Sequence, residues 1–252
     1  MEQNPWIIQL TQNPAAKARL LCFAYAGAGA FIFRTWKQFI PSDIELIGIQ
    51  LPGRETRFKE PRIHDFNTLL SEVMPALTPY LDKPLILFGY SLGAMIAYEL
   101  ALKFQEQSLA TVEHLIIAAS RPPSHIAQDP SFKDGSLYKE ATLRKMHEYQ
   151  GTASVVMDSP EMLDIFIPIM QADFALLASY QPTQGILLNC PVSVLFGEQE
   201  AENTLEKALQ WKALTTGIFK HYMIPGRHFF IHESPESMKE VMLKVINFDK
   251  NE

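Results

Sequence analysis

Six short runs of nearly continuous apolar residues punctuate the chain, at 19–24, 44–50, 85–88, 114–119, 192–196 and 219–224. Unbroken apolar character over so few residues marks strands covered on both faces, as in a parallel sheet. Between several of them apolar positions recur at helical spacing, over 66–81, 92–104, 205–214 and 236–246. Strand and helix in alternation predict an α/β fold, with a mostly parallel central sheet, right-handed crossovers and flanking helices. The alternation stops between Ser120 and Asn189, where no strand is legible and helical segments are expected at 137–149, 160–170 and 172–179. Roughly 70 residues far exceeds an ordinary connection, so this stretch reads as a helical insertion capping one end of the sheet.

The length of 252 residues fits one large domain spanning 1–252 better than two small ones. Hydrophobic residues make up 47% and charged residues 20%, both ordinary for a globular chain. A net charge of −6 argues against a nucleic-acid-binding protein, which is usually basic. The opening "MEQNPWIIQLTQNP" carries an early acid and two prolines, unlike a secretory leader. No apolar run approaches the roughly 18 residues of a membrane span, so a cytoplasmic location is expected. Cys22 and Cys190 lie in or beside apolar runs and read as buried reduced thiols.

Gly89-Tyr90-Ser91-Leu92-Gly93 falls where a strand pattern turns into a helix pattern. A serine two residues from a glycine on either side, at such a corner, has the form of a nucleophile elbow. The tight corner forces the middle residue into an unfavourable conformation, and the glycines remove side chains that would clash. The hydroxyl then projects over the helix N-terminus, where the Leu92 N–H can face a developing oxyanion.

A serine nucleophile needs a base, and the base an acid to orient it, in the chain order Ser, acid, His. His64, His114, His125 and His147 precede the last strands, and His221 lies inside the final one. His228 follows that strand in "IPGRHFFIHESP" and is the preferred base; His232 stands four residues on. The pair lacks the helix and glutamate of a zinc-protease motif, so no metal or cofactor is expected. The loop after "PVSVLFG" reads "EQEAEN", which leaves Glu198, Glu200 and Glu202 as candidate acids.

Several segments, in order and over nearly the whole length, resemble the type II thioesterases of polyketide and nonribosomal peptide synthesis, which are α/β-hydrolases. They are "LLCFAYAGAGAFIFRTW", "IQLPGRETRFKEP", "FGYSLGAMIAYELA", "ASRPPSH", "ADFALLASYQP", "VLFGEQE" and "IPGRHFFI". The resemblance implies an α/β-hydrolase fold in which residues 121–185 form a helical lid. Carried over by position, it makes Ser91 the nucleophile, His228 the base and Glu200 the acid, where the family usually has aspartate. The oxyanion donors become the N–H groups of Ala26 and Leu92. Tyr25 and Gly27-Ala28 stand where the family often has histidine and a glycine pair.

The implied reaction is hydrolysis of acyl or aminoacyl thioesters on the phosphopantetheine arm of acyl or peptidyl carrier domains, clearing misloaded synthases, by an enzyme expected to be monomeric. Arg54, Arg57 and Lys59, in the basic stretch that ends at Arg62, are candidate contacts to the carrier or the arm's phosphate. Three other readings share the motifs: a carboxylester hydrolase, an acyltransferase, and a carrier-binding assembly factor of low turnover.

Overall fold

The computed structural model describes residues 4–133, 139–149 and 158–246. Seven strands form one sheet: β1 Ile7–Gln9, β2 Ala18–Phe23, β3 Ile44–Ile49, β4 Leu85–Tyr90, β5 Val112–Ala118, β6 Val192–Gly197 and β7 Phe219–Ile224. Their order is β1-β3-β2-β4-β5-β6-β7. All neighbours are parallel except β1, which runs antiparallel to β3. This is the α/β-hydrolase sheet. The six expected strands are present, with ends shifted by up to two residues. β1 was not expected, because three residues are too short to carry a period.

Within the strands successive residues enter different cores. Leu21, Phe23, Leu87 and Ile117 pack on one face, and Leu20, Cys22, Phe88 and Ile116 on the other. Burial on both sides explains why the apolar runs are unbroken. Both cysteines are buried and free. The chain order leaves β2 in one direction for β3 and returns on the other side as β4. Such a reversal opens a crevice at the carboxyl ends of the central strands.

Among the described residues the α-helices are α1 Phe66–Leu77, α2 Leu92–Glu106, α3 Pro123–Gln128, α4 Pro130–Lys133, α5 Lys139–Tyr149, α6 Pro160–Ser179, α7 Leu205–Gln210, α8 Phe230–Glu233 and α9 Pro235–Ile246. Four of these, α3 to α6, lie in the interval between β5 and β6. The expected helix at 137–149 is present from Lys139; residues 137 and 138 lie outside the described residues. The two segments expected at 160–170 and 172–179 are one 20-residue helix, α6, with Pro168 inside it. The expectation that no apolar run nears spanning length therefore needs correction: α6 is long and apolar enough to cross a membrane by length and composition. Half of its apolar window is buried inside the protein, and it carries the fully buried Asp173. Packing in the core accounts for its composition.

One buried histidine makes the fold acid-sensitive. His114 on β5 is hydrogen-bonded to Ser193 Oγ at 2.9 Å, and burial, aided by Lys220, pushes its pKa down from 6.5 to about 4. Between these values the unfolded chain binds a proton that the folded one refuses, so stability rises with pH across that window. Urea titrations are expected to show a loss on the order of 3 kcal/mol from pH 6.5 down to 4. The variant His114→Gln is expected to flatten that limb.

Candidate active site

Ser91 is the single residue between the end of β4 and the start of α2. Its backbone sits at φ 53°, ψ −112°, and its N–H donates to the Ala118 carbonyl at 2.9 Å. Such a conformation costs about 1–3 kcal/mol in a residue with a Cβ, and persists only where the surroundings enforce it. The glycines are required by contact. A Cβ on Gly89 would run into the backbone of Gly93 and Ala94, and one on Gly93 into the Phe23 carbonyl of β2. α2 thus seats tightly on the sheet, and Ser91 is left half-buried at the sheet's carboxyl edge.

His228 lies in the turn between β7 and α8, closed by the Glu233 carboxylate, which accepts the Arg227 N–H at 2.7 Å. The Tyr90 hydroxyl, directly before Ser91, donates to the His228 carbonyl at 2.5 Å. The loop after β6 is bound to the same turn. Glu198 N–H donates to the Ile224 carbonyl at 2.8 Å, and Gln199 N–H to the Gly226 carbonyl at 2.9 Å. These bonds bring Glu200 beneath the imidazole, where its Oε1 accepts from His228 Nδ1 at 2.5 Å. Asn203 Nδ2 donates to the same oxygen, and Gly197 N–H reaches Oε2 at 3.4 Å. Glu200 and His228 are buried, whereas Glu198 and Glu202 are exposed. Of the three candidate acids, the structure places Glu200 on His228. Asn203, in the same "EQEAEN" loop, was missed because that segment was searched for acids alone.

His232 does not join this pair. Its Nε2 meets the Tyr25 hydroxyl at 2.6 Å. Burial pushes the Tyr25 phenol up to about 12 and lowers the His232 imidazole. The phenol keeps its proton at pH 7 and can donate it to the imidazole nitrogen. Tyr25 also packs edge-on against Tyr90 and Phe229, bracing the loop that leads to Ala26.

Ser91, Leu92, Ala26 and His228 line one cavity of about 430 Å³. Leu92 is the first residue of α2, so its N–H has no acceptor within the helix. Beyond Ser91 the cavity is walled by Ile126, Phe132, Met146, Phe174 and Leu177, all from the interval between β5 and β6 or its helices. Arg54 also lines the cavity but is not free. Its Nη1 and Nη2 donate to Asp173 Oδ2 and Oδ1 at 2.6 and 2.7 Å, and both side chains are buried. Arg57 is buried too, stacked over the Trp6 ring at 4.1 Å and donating to Glu60 and the Gln50 carbonyl. This corrects the expectation of a basic docking loop: of Arg54, Arg57 and Lys59, only Lys59 is exposed. Carboxylates and a ring, supplied by the fold, neutralise and cover the two guanidinium groups.

Sheet and crevice together define the class: an α/β-hydrolase with a serine at the strand-to-helix corner over the carboxyl edge. The profile of the thioesterase domain family matches residues 18–246, and the chain belongs to that family. It is 33% identical to gramicidin S biosynthesis protein GrsT of Aneurinibacillus migulanus, over 96% of this chain and 93% of that one. It is 32% identical to the medium-chain S-acyl fatty acid synthase thioesterase of Homo sapiens, over 88% of this chain and 84% of that one. The solved structure of the type II thioesterase BorB, from the borrelidin biosynthetic cluster, superposes with a TM-score of 0.84 at 26% identity, covering 97% and 98% of the two chains. The activity of the chain is thioester hydrolysis.

Proposed function

We propose that this thioesterase releases acyl or aminoacyl groups from the phosphopantetheine arm of carrier domains, acting in the cytoplasm as a monomer that clears misloaded synthases. The observation that carries the reading is the cavity shared by Ser91 and His228, with Glu200 bonded behind the imidazole. Similarity to GrsT and BorB, both tied by name to biosynthesis of this kind, supports the carrier-bound substrate.

The chemistry follows from the positions. Glu200 holds His228 with Nδ1–H as donor, which leaves Nε2 as the basic nitrogen on the opposite side of the ring. Ser91 Oγ attacks the thioester carbonyl carbon as His228 takes its proton. The negative charge that develops on the carbonyl oxygen is met by the N–H groups of Ala26 and Leu92, fixed in place before the reaction. The C–S bond breaks, the thiolate leaves with the proton from His228, and the acyl group stays on Ser91. His228 then takes a proton from water, whose oxygen attacks the acyl-serine; Ser91 recovers its proton and a carboxylic acid departs. The apolar wall of Ile126, Phe132 and Phe174 accepts the acyl chain, and the segment 121–185 serves as the lid over it.

Incubation with carrier protein loaded with acyl groups tests the reading. Release of free acid at many times the background rate is expected. Stable acyl-carrier in the presence of enzyme, with free esters hydrolysed instead, would replace it by a carboxylester hydrolase. Lys59→Glu examines the remaining exposed cation of the proposed carrier contact. It is expected to raise KM for acyl-carrier a fewfold and leave a small thioester unaffected.

A further inference from the structure

Asp173 is fully buried in the middle of α6, where a carboxylate is costly unless several donors meet it. Three do. Arg54 grips both oxygens, and the backbone N–H of Gly27 donates to Oδ2 at 2.6 Å. Arg54 Nη1 also reaches the Ala28 carbonyl at 3.3 Å, while its Nε is buried without a partner among the described residues. The guanidinium is therefore spent on the carboxylate and on the loop 25–29, not on its own surroundings. Gly27 takes φ +86°, and space for a side chain there is closed by Met170 and Phe166 of α6. A buried ion pair of this kind adds little net stability compared with apolar residues of similar volume. What it does supply is a fixed direction for the peptide next to Ala26.

We infer that Asp173 and Arg54 are positioning residues that hold the Ala26–Gly27 segment in its oxyanion-binding pose. Asp173 fixes the Gly27 N–H and Arg54 fixes Asp173, so the Ala26 N–H one peptide earlier is aimed into the cavity. The helix that walls the acyl site thereby carries the oxyanion loop with it. This rests on the proposed role of Ala26 as an oxyanion donor. A misplacement of about 1 Å in such a group can cost about 10²-fold in rate.

The double variant Arg54→Met/Asp173→Leu replaces the pair with apolar residues of similar size and is expected to fold with a stability close to the parent. On a small acyl thioester its kcat is expected to fall about 10²-fold with KM nearly unchanged. Affinity for an alkyl boronic acid, which forms a tetrahedral adduct on Ser91, is expected to fall by a matching factor. Arg54→Lys keeps the charge but loses the two-pronged grip; a loss of about tenfold in both quantities is expected, and it carries the test if the double variant does not fold. A folded variant with parental kcat and parental boronate affinity overturns the inference. So does a loss confined to KM. Boronate binding by the unaltered protein is measured first: its absence together with absent thioester turnover removes the serine-hydrolase reading itself, a different failure from variants that match the parent.

Discussion

Replacing Ser91 with alanine is expected to lower thioester turnover by about 10⁶-fold, the loss seen when a triad nucleophile is removed from a site whose other groups remain. The fold should not suffer, since the Ser91 side chain makes no capping bond to α2. The strained backbone at φ 53° adds a second, opposite expectation. Ser91→Gly removes the Cβ that makes this conformation costly and should raise stability by about 1 kcal/mol while being equally inactive. Turnover and urea denaturation measured on both variants check the pair of expectations. Substantial turnover in the alanine variant would move the nucleophile elsewhere. A less stable glycine variant would show that the corner is not strained.

The second large effect is expected at Glu200. In Glu200→Gln the amide nitrogen either takes the Oε1 position, where it faces both His228 Nδ1 and Asn203 Nδ2 and forces the wrong tautomer, or takes the Oε2 position, where it meets the Gly197 N–H and sets two donors together. Loss of the carboxylate also leaves the imidazolium unstabilised as it forms. A fall of about 10³–10⁴-fold in kcat is expected, with KM little changed. Glu198→Gln and Glu202→Gln, both at exposed positions, are expected to stay within about twofold of the parent. The informative comparison is among the three variants under one assay, because a loss shared equally by all would indicate a disturbed loop and not an acid. A kcat that survives at Glu200 and collapses at Glu202 would reassign the role, since Glu202 also borders the cavity.

Most of the sheet was legible because β2 to β6 are buried on both faces along most of their length and are bounded by turn residues, so a run of apolar residues marks each without regard to the rest of the chain. The exceptions have physical causes. β1 is three residues long and owes its place to pairing with β3, at Ile7 opposite Ile49. The segment Ala30–Gln38 forms a 3-10 helix that none of the expected elements covers. Its buried Ala30, Phe33 and Trp36 fall three apart, the period of that helix, and a search at that spacing finds it. α6 was divided at Gln171, yet the apolar residues on both sides pack on one cavity and one core, which outweighs a polar residue in the middle. In the site, Ser91, Leu92 and His228 were legible because each is tied to a local pattern, a corner or the turn after a strand. Asp173 was not: one acid in an apolar helix gives no hint of its donors until the helix is laid across the loops.

The sequence by itself determined the alternation of strands and helices, the position of the serine at a strand-to-helix corner and the family to which the chain belongs. These depend on interactions between residues a few positions apart, which composition and spacing record directly. The family resemblance pointed to Glu200, but only the tertiary structure put that carboxylate, and not Glu198 or Glu202, on His228, and decided whether the arginines of "PGRETR" face water or the core. A shift of two residues in a loop exchanges a buried carboxylate for an exposed one. The partner that turns Arg54 inward lies 119 residues away along the chain. A guanidinium leaves water only where a carboxylate and backbone carbonyls replace its hydration, and whether they do is settled when the helices close over the sheet.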